Sequence, residues 1–222
     1  MIKRSQNLYN LLFFYYYTMK TLFIPAKVNS EVNVKKIQSL KLPENIAIAY
    51  SIQYKDIAFK IKEILSKNKI TEIIQVLGCS KPKFSNETKA VLLISSGEFH
   101  AVSLAFETKL PIYILHSDKL RKISNEEISA FEKKKLASYM KFLNSEKVGI
   151  LISTKPGQEN MKRAFSIKDK LKNKKCYLFI SNEVFSGELE NFNDIDAWIN
   201  TACPRLDFDI SVVNMGDLEK KE

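Results

Sequence analysis

Three cysteines carry the side chains of this sequence with the most distinctive chemistry. Cys79 lies in VLGCS, Cys176 begins CYLFIS, and Cys203 lies in NTACPR. The odd number and the wide separation argue against a disulfide framework, and no pair has the CxxC spacing of a zinc site. Each cysteine is therefore a buried small hydrophobe, a nucleophile, or a metal ligand whose partners are distant in the sequence.

The local sequence separates Cys176 from the other two. Cys176 opens an apolar strand-like run and is expected to pack in the core, as free cysteines often do. Cys79 and Cys203 each follow a strand-like run and stand where it meets a loop. Taken alone, either cysteine is more often structural, but two cysteines at corresponding ends of two similar domains favour a shared role. Thiolates projecting into one crevice are the preferred ligands of an iron–sulfur cluster.

Alternating strand-like and helix-like patterns run from Met19 onward. Near-continuous apolar strands separated by helices indicate parallel sheets that are covered on both faces. We therefore predict an α/β protein with two small Rossmann-like parallel-sheet domains, flanked by helices and joined by a long helix. The predicted division is a tail or mis-assigned start at 1–18, a first α/β domain at 19–122, the connecting helix at 123–146, and a second α/β domain at 147–222.

Two helix starts matter for the predicted sites. Asn125 is the expected N-cap of the long helix, and Gly157 with Gln158 is expected to open a helix directly after the strand KVGILIST. A helix N-terminus presents free N–H groups that suit a carboxylate. Because ligands of such sheets bind beyond the carboxyl ends of the strands, this segment is a candidate binding loop.

The net charge of +10 comes mostly from lysine. Solvated helical faces are the favoured explanation, and docking to an acidic partner is the alternative. The sequence holds no GxGxxG or P-loop motif, and no RNA-recognition motif or zinc finger, so direct nucleic-acid binding is not expected. The apolar run LYNLLFFYYYT is about half the length of a membrane helix. A reducing, cytoplasmic location is therefore expected.

Four motifs carry a family resemblance: VLGCS, SSGEFH, LISTKPGQ and above all DIDAWINTACPR. In order and spacing they resemble the diphthamide synthase family, the 2-(3-amino-3-carboxypropyl)histidine synthases of archaea and eukaryotes. The similarity runs from about Thr21 to Asp209. The last motif is long and specific, so a chance match is not expected.

The resemblance implies a radical chemistry. Members of this family carry a [4Fe–4S] cluster, held by three cysteines from three similar domains, and bind S-adenosylmethionine at the fourth iron. They cleave the methionine Cγ–S bond reductively and form a 3-amino-3-carboxypropyl radical. The group is added to a histidine of elongation factor 2, which is the first step of diphthamide biosynthesis.

The resemblance also assigns roles to individual residues. By motif match, Cys79 is the cluster ligand of the family's middle domain and Cys203 that of its last domain. S-adenosylmethionine would be contacted by Ser153, Thr154, Lys155, Pro156, Gly157, Gln158 and Arg205. His100 would lie nearest the chemistry, although no catalytic residue is assigned. The alternatives are an ordinary turn at 153–158, a structural histidine, and a loop held by a salt bridge of Asp196 or Arg205.

The family's first domain and its ligand cysteine have no counterpart in the matched sequence. The chain thus supplies two of three expected ligands. It is then one part of a split enzyme, completed by a separate polypeptide or a dimer mate. The alternatives are a non-catalytic accessory subunit, a decayed remnant, and, more remotely, a metal-free α/β nucleotide-binding protein. The high lysine and glutamate content also fits a heat-adapted organism, in keeping with an archaeal source.

Overall fold

The structure is a computed structural model that describes residues 22, 24, 26–77, 81–97, 99–116, 119–204 and 211–218, without the side chains of 99 and 100. The elements of its first half are α1 (Val34–Gln38), β1 (Asn45–Tyr50), a 3₁₀ turn (Ile52–Tyr54), α2 (Lys55–Ile64), β2 (Lys69–Gln75), β3 (Ala90–Ile94), α3 (Phe99–Thr108), β4 (Ile112–His116) and β5 (Lys119–Lys122). Those of its second half are α4 (Asn125–Asn144), β6 (Lys147–Ser153), α5 (Met161–Lys170), β7 (Lys175–Ser181), α6 (Ser186–Leu189), β8 (Ala197–Asn200), β9 (Val212–Asn214) and α7 (Met215–Leu218).

The first sheet has the strand order β2-β1-β3-β4-β5. Its first four strands are parallel, and β5 pairs with β4 in the antiparallel direction. β3 is wholly buried and β1 nearly so, because hydrophobic clusters cover both faces of the sheet. This burial explains the continuous apolar runs that predicted a parallel sheet. The short, charged strand β5 has no apolar alternation and was not predicted.

The second sheet is parallel throughout, with the order β7-β6-β8-β9. One face packs under α4 and α5, where Phe142 and Ala164 meet the strand residues. The other face carries a smaller cluster around Trp198. The two sheets with their flanking helices confirm the predicted α/β class. The division of the chain at 19–122 and 147–222 remains a prediction.

The parallel strands of the two sheets follow the same order, so β2 corresponds to β7 and β3 to β8. Cys79 comes after β2, whereas Cys203 comes after β8. Both cysteines therefore follow a parallel strand in the sequence, but the two strands hold different positions in their sheets. Strand order is set by how the chain crosses the sheet, and alternating sequence patterns do not report it.

The long helix α4 bridges the two sheets. Ile128, near its start, packs against the first sheet's core, and Phe142, near its end, lies in the second sheet's core. Its N-cap is Ser124 rather than the expected Asn125. The Ser124 hydroxyl accepts from the backbone N–H of Glu127 at 3.2 Å, and the Glu127 carboxylate accepts from the Ser124 N–H at 2.9 Å. This reciprocal capping box satisfies two N–H groups that an Asn125 start would leave open.

The segment TLFIPAKV has a strand-like pattern, which predicts a first strand. Its described residues, 22, 24 and 26–28, carry no strand, and Leu22 and Ile24 are exposed. Pro25 lacks an N–H group, so a central strand is disfavoured there. The backbone N–H of Val28 instead donates to the carbonyl of Gln53 at 3.0 Å.

Asp196 joins the start of β8 to the junction between α4 and β6. Its carboxylate accepts from the backbone N–H groups of Glu146 at 3.0 Å and Lys147 at 2.7 Å. These two hydrogen bonds lower the pKa of Asp196, with a smaller contribution from the charge of Lys147. Asp196 therefore ties strands together at the amino edge of the sheet, away from the loop that holds Cys203.

We expect Asp196→Asn to lower the melting temperature at neutral pH, because the amide binds the two N–H groups less strongly than a carboxylate does. The folded-state pKa of Asp196 is depressed, so its stabilisation is present above the unfolded pKa and is lost as pH falls through the folded value. The melting curves of the two proteins should converge below about pH 4. A constant difference from pH 7 down to about pH 3 would contradict this role.

Candidate functional site

The carboxyl edge of the second sheet brings two of the predicted segments together. β6 ends at Ser153 and its neighbour β8 at Asn200, and both side chains are buried. The side-chain amide of Asn160 donates to the carbonyl of Thr201 at 2.9 Å, which ties the loop after β6 to the loop after β8. The candidate cofactor segment 153–158 and the Cys203 loop are therefore direct neighbours.

The 153–158 segment is a closed turn. The Thr154 N–H continues the ladder to the Ser181 carbonyl at 2.9 Å, and the Gln158 N–H donates to the Lys155 carbonyl at 3.0 Å. Gly157 has a φ of 78°, in the left-handed region that favours glycine. The expectation that Gly157 and Gln158 open a helix is therefore wrong, because this conformation interrupts the helical path and α5 begins only at Met161.

The polar side chains of this turn have two roles. Ser153 stabilises the turn, and Lys155 presents a charge at its surface. The Ser153 hydroxyl accepts from the Lys155 N–H at 3.1 Å, which holds the start of the turn. Pro156 and Gly157 are exposed. The Lys155 ammonium lies 2.9 Å from the Glu183 carboxylate, in a pair that water reaches on both sides. Such a pair adds little stability, and it presents one charge of each sign beside the turn.

The Cys203 loop is anchored at its base by Thr201. This fully buried residue donates to the Leu151 carbonyl from its N–H at 3.1 Å and from its hydroxyl at 2.7 Å. The next anchor is Asn200, whose side-chain oxygen accepts from the Ala202 N–H at 2.9 Å and whose amide donates to the Cys203 carbonyl at 3.0 Å. Cys203 itself is half-buried. Its backbone is thus held on both sides of the thiol-bearing residue.

The loop after β2 reaches the same edge from the first sheet. The Lys81 ammonium lies 3.6 Å from the position that a Cβ would occupy on Gly216, at the start of α7. Gly216 lies two residues beyond Asn214, whose side-chain oxygen accepts from the Asn200 amide at 2.8 Å. Lys81 thus approaches the end of β9, which is hydrogen-bonded to Asn200 beside the Cys203 turn.

Cys176 lies at the amino end of the strands in the second sheet, opposite the end that carries the Cys203 loop. It pairs with Val148 near the start of β6, whereas Cys203 follows the far end of β8. Cys176 packs against the core under α4 and α5, as its sequence context predicts. Burial raises the pKa of its thiol, against the opposing charges of Lys168 and Lys174. Within the described part of the chain, no three His, Cys, Asp or Glu side chains are grouped to hold a metal ion.

Three of the predicted site residues have side chains that lie outside the described part of the structure. Cys79 and Arg205 lie outside the described residues. His100 belongs to α3, but its side chain is outside the description. The roles assigned to all of the predicted site residues remain predictions, and so does the assignment of residues 1–18 as a tail. Sequence reasoning did not single out the asparagines at 160, 200 and 214, although a polar Asn200 closing the apolar run AWI was a usable signal.

None of the helices in the described ranges is both long enough and apolar enough to cross a bilayer. A family model for diphthamide synthesis proteins matches residues 11–213. The chain belongs to the diphthamide synthesis protein family. The match extends the resemblance at both ends, because it begins before Met19 and ends after Asp209.

Named relatives from this family are synthases. The chain is 32% identical over 207 residues to the 2-(3-amino-3-carboxypropyl)histidine synthase of Methanocaldococcus jannaschii, which covers 86% of this chain and 57% of the relative. It is 29% identical over 143 residues to subunit 1 of that synthase from Schizosaccharomyces pombe. This match covers 61% of this chain and 32% of the relative. The chain therefore spans little more than half the length of the first of these relatives.

Solved structures from this family share the fold. Dph2 from Pyrococcus horikoshii, solved with a 4Fe-4S cluster, superposes with a TM-score of 0.70 at 24% identity, covering 90% of this chain and 67% of that one. A second structure of the same protein gives a TM-score of 0.67, and the match covers 85% of this chain and 59% of that one. The diphthamide-synthesis fold thus extends over nearly all of this chain.

Proposed function

We propose that this family member is part of a 2-(3-amino-3-carboxypropyl)histidine synthase. The assembled enzyme would use S-adenosylmethionine to transfer the 3-amino-3-carboxypropyl group to a histidine of elongation factor 2, in the cytoplasm, as the first step of diphthamide biosynthesis. The observation that carries the proposal is the contact between Asn160 and Thr201. It joins the loop that continues from the candidate S-adenosylmethionine segment to the candidate ligand loop at one sheet edge.

Cys203 and Cys79 are the proposed protein ligands of a [4Fe–4S] cluster. Cys203 suits the role because it is half-buried on a turn whose backbone is pinned by Asn200. The loop that contains Cys79 continues to Lys81, which approaches the same edge at Gly216. When bound, the cluster would supply the electron for reductive cleavage of S-adenosylmethionine. A third ligand would come from outside these 222 residues.

The 153–158 segment would bind S-adenosylmethionine next to that cluster. Its exposed turn at Pro156 and Gly157 leaves room for a ligand to approach the backbone closely. Lys155 and Glu183 present opposite charges 2.9 Å apart, and the amino-acid end of S-adenosylmethionine carries a carboxylate and an ammonium. Arg205 would add a bidentate partner for the carboxylate. His100 would lie nearest the transferred group.

The surplus of positive charge would guide the protein substrate. Seven cations and one anion occupy 162–175, across α5 and the turn to β7. Most of these cations are exposed: Lys162, Arg163, Lys168, Lys170, Lys172 and Lys175. A surface of this kind accelerates encounter with an acidic partner, in a manner that salt weakens. Elongation factor 2 would be such a partner.

A non-catalytic accessory subunit is the second candidate function. The fungal relatives are named as one subunit of the synthase, which implies a complex with other subunits. In this case the chain would support the cluster or the substrate of a complete partner without supplying essential ligands.

The test is an anaerobic transfer assay with purified elongation factor 2, S-adenosylmethionine and a low-potential reductant. We expect the isolated chain to give no modified histidine peptide by mass spectrometry, because an under-ligated cluster is labile. Adding a polypeptide that carries the remaining family region should restore transfer.

Full transfer by the isolated chain would refute the need for an external ligand. Persistent inactivity would favour the accessory subunit, provided that the chain is folded and the partner is intact. A protein that stays colourless with every partner would refute both candidates, because each requires an iron–sulfur assembly.

A further inference from the structure

Asn200 is a buried polar side chain at the end of an apolar strand. Only 1% of it is exposed, and the three residues before it, Ala197 to Ile199, are core residues. Buried amides in folded proteins are hydrogen-bonded, because leaving them without partners is costly. The amide of Asn200 donates to the Cys203 carbonyl at 3.0 Å and to the Asn214 side chain at 2.8 Å. Its oxygen accepts from the Ala202 N–H at 2.9 Å.

These three hydrogen bonds join one short turn to the neighbouring strand β9. Two of them reach the backbone of residues 202 and 203, so they close the turn that presents Cys203. The third reaches Asn214 on the adjacent strand β9. None of them extends the strand ladder of the sheet. Their combined effect is to hold the Cys203 backbone against the end of β9.

We propose that Asn200 is the positioning residue that holds the Cys203 turn on the carboxyl edge of the second sheet. The carboxamide suits this task because it donates two hydrogen bonds and accepts at a separate atom. A carboxylate of the same shape keeps the acceptor but has no donor for the Cys203 carbonyl. That the thiol held in this way serves as a cluster ligand rests on the function proposed above.

The test measures the reactivity of the Cys203 thiol in the folded chain. In a background with Cys79→Ser and Cys176→Ser, Cys203 is the sole thiol, and its alkylation by N-ethylmaleimide can be followed by mass spectrometry. We expect Asn200→Ala to raise the alkylation rate about tenfold, because losing these hydrogen bonds favours local opening of the turn. Circular dichroism and the melting temperature of each variant establish that it is folded during labelling.

Asn200→Asp removes the hydrogen bond to the Cys203 carbonyl while it keeps the other two hydrogen bonds. The carboxylate can still accept from the Ala202 N–H, and the Asn214 amide can turn to donate to it. The Cys203 carbonyl alone loses its donor. We therefore expect Asn200→Asp to raise the alkylation rate nearly as much as Asn200→Ala.

Asn68→Ala is the matched control. The Asn68 amide also donates to a backbone carbonyl, that of Pro43 at 2.8 Å, but in the first half of the chain. Its removal should leave the alkylation of Cys203 unchanged. An equal increase in this control would show a general loss of stability and would overturn the proposal.

Parental alkylation rates in folded Asn200→Ala and Asn200→Asp would also overturn the proposal. If Asn200→Ala is alkylated faster but Asn200→Asp is not, the hydrogen bond to Ala202 or Asn214 stabilises the turn. That result would refute the role of the hydrogen bond to the Cys203 carbonyl. The labelling needs no cluster, cofactor or substrate. Its failure therefore leaves the proposed synthase function standing, and a failure of the transfer assay leaves the labelling result unaffected.

Discussion

Serine in place of Cys203 is expected to lower transfer by the assembled synthase by more than about 100-fold, beyond the typical effect of losing a supporting group around a metal. A serine hydroxyl is a poor substitute for a thiolate, which is the ligand that iron–sulfur clusters favour. The turn itself should survive, because its hydrogen bonds use the backbone of Cys203 and the side chain of Asn200. The measurements are mass spectrometry of the elongation factor 2 peptide and iron content per chain.

Cys176→Ser is the control for this substitution. Cys176 lies near the start of β7 and packs against the core, so its loss should leave transfer and iron content nearly unchanged. Cys79→Ser should behave like Cys203→Ser if both residues are ligands. Retained transfer in Cys203→Ser with normal iron content would exclude Cys203 from the cluster. Loss of transfer in Cys176→Ser alone would move the ligand role to the opposite edge of the sheet.

Alanine in place of Gly149 is expected to lower the free energy of unfolding by about 1–3 kcal/mol, the typical range for overpacked cores. A Cβ on Gly149 would lie 2.3 Å from both Cε3 and Cζ3 of Trp198 on the adjacent strand. The indole has little room to retreat, because it is buried and its centroid lies 4.7 Å from that of Phe179 and 6.2 Å from that of Phe192. Either the strands separate or the aromatic cluster repacks. Urea unfolding followed by circular dichroism measures the change.

Gly187→Ala is the matched control for this prediction. A Cβ there meets no atom within 4 Å, and Gly187 lies in the short helix α6. Alanine is a better helix former than glycine, so this variant should be as stable as the parent or slightly more stable. Equal stability of the two alanine variants would show that Trp198 yields without cost.

Several elements follow from local sequence because their cause is local. The runs NIAIAY and AVLLI are buried on both faces of the sheet, and their continuous apolar character reports this burial directly. The helix-like run NVKKIQSL predicts a cap near Asn33, and the Asn33 side chain accepts from the Lys36 N–H at 3.1 Å. The long connecting helix was also predictable. Its start was misplaced by one residue, since Ser124 and Asn125 are both good capping types and only the Glu127 contact decides between them.

The candidate site depends on contacts that no local pattern contains. Gly157 was placed in a helix because the sequence GQENMKRAF continues with helical spacing, yet its φ of 78° delays the helix to Met161. The strand that precedes each cysteine-bearing loop is visible in outline from the sequence, but the order of the strands is not. The sequence therefore does not show that Cys79 and Cys203 follow strands at different positions in their sheets.

By itself the sequence determined the α/β class, the family through DIDAWINTACPR, and the separation of Cys203 from the core residue Cys176. The tertiary structure alone decided which groups meet at the sheet edge. Asn160 reaches Thr201 across 41 positions, Asn200 reaches Asn214 across 14, and Lys81 approaches Gly216 from the other half of the chain. Each contact depends on which strands lie side by side. The order of adjacent strands is fixed by the packing of whole sheets and helices, so no single segment of sequence specifies it.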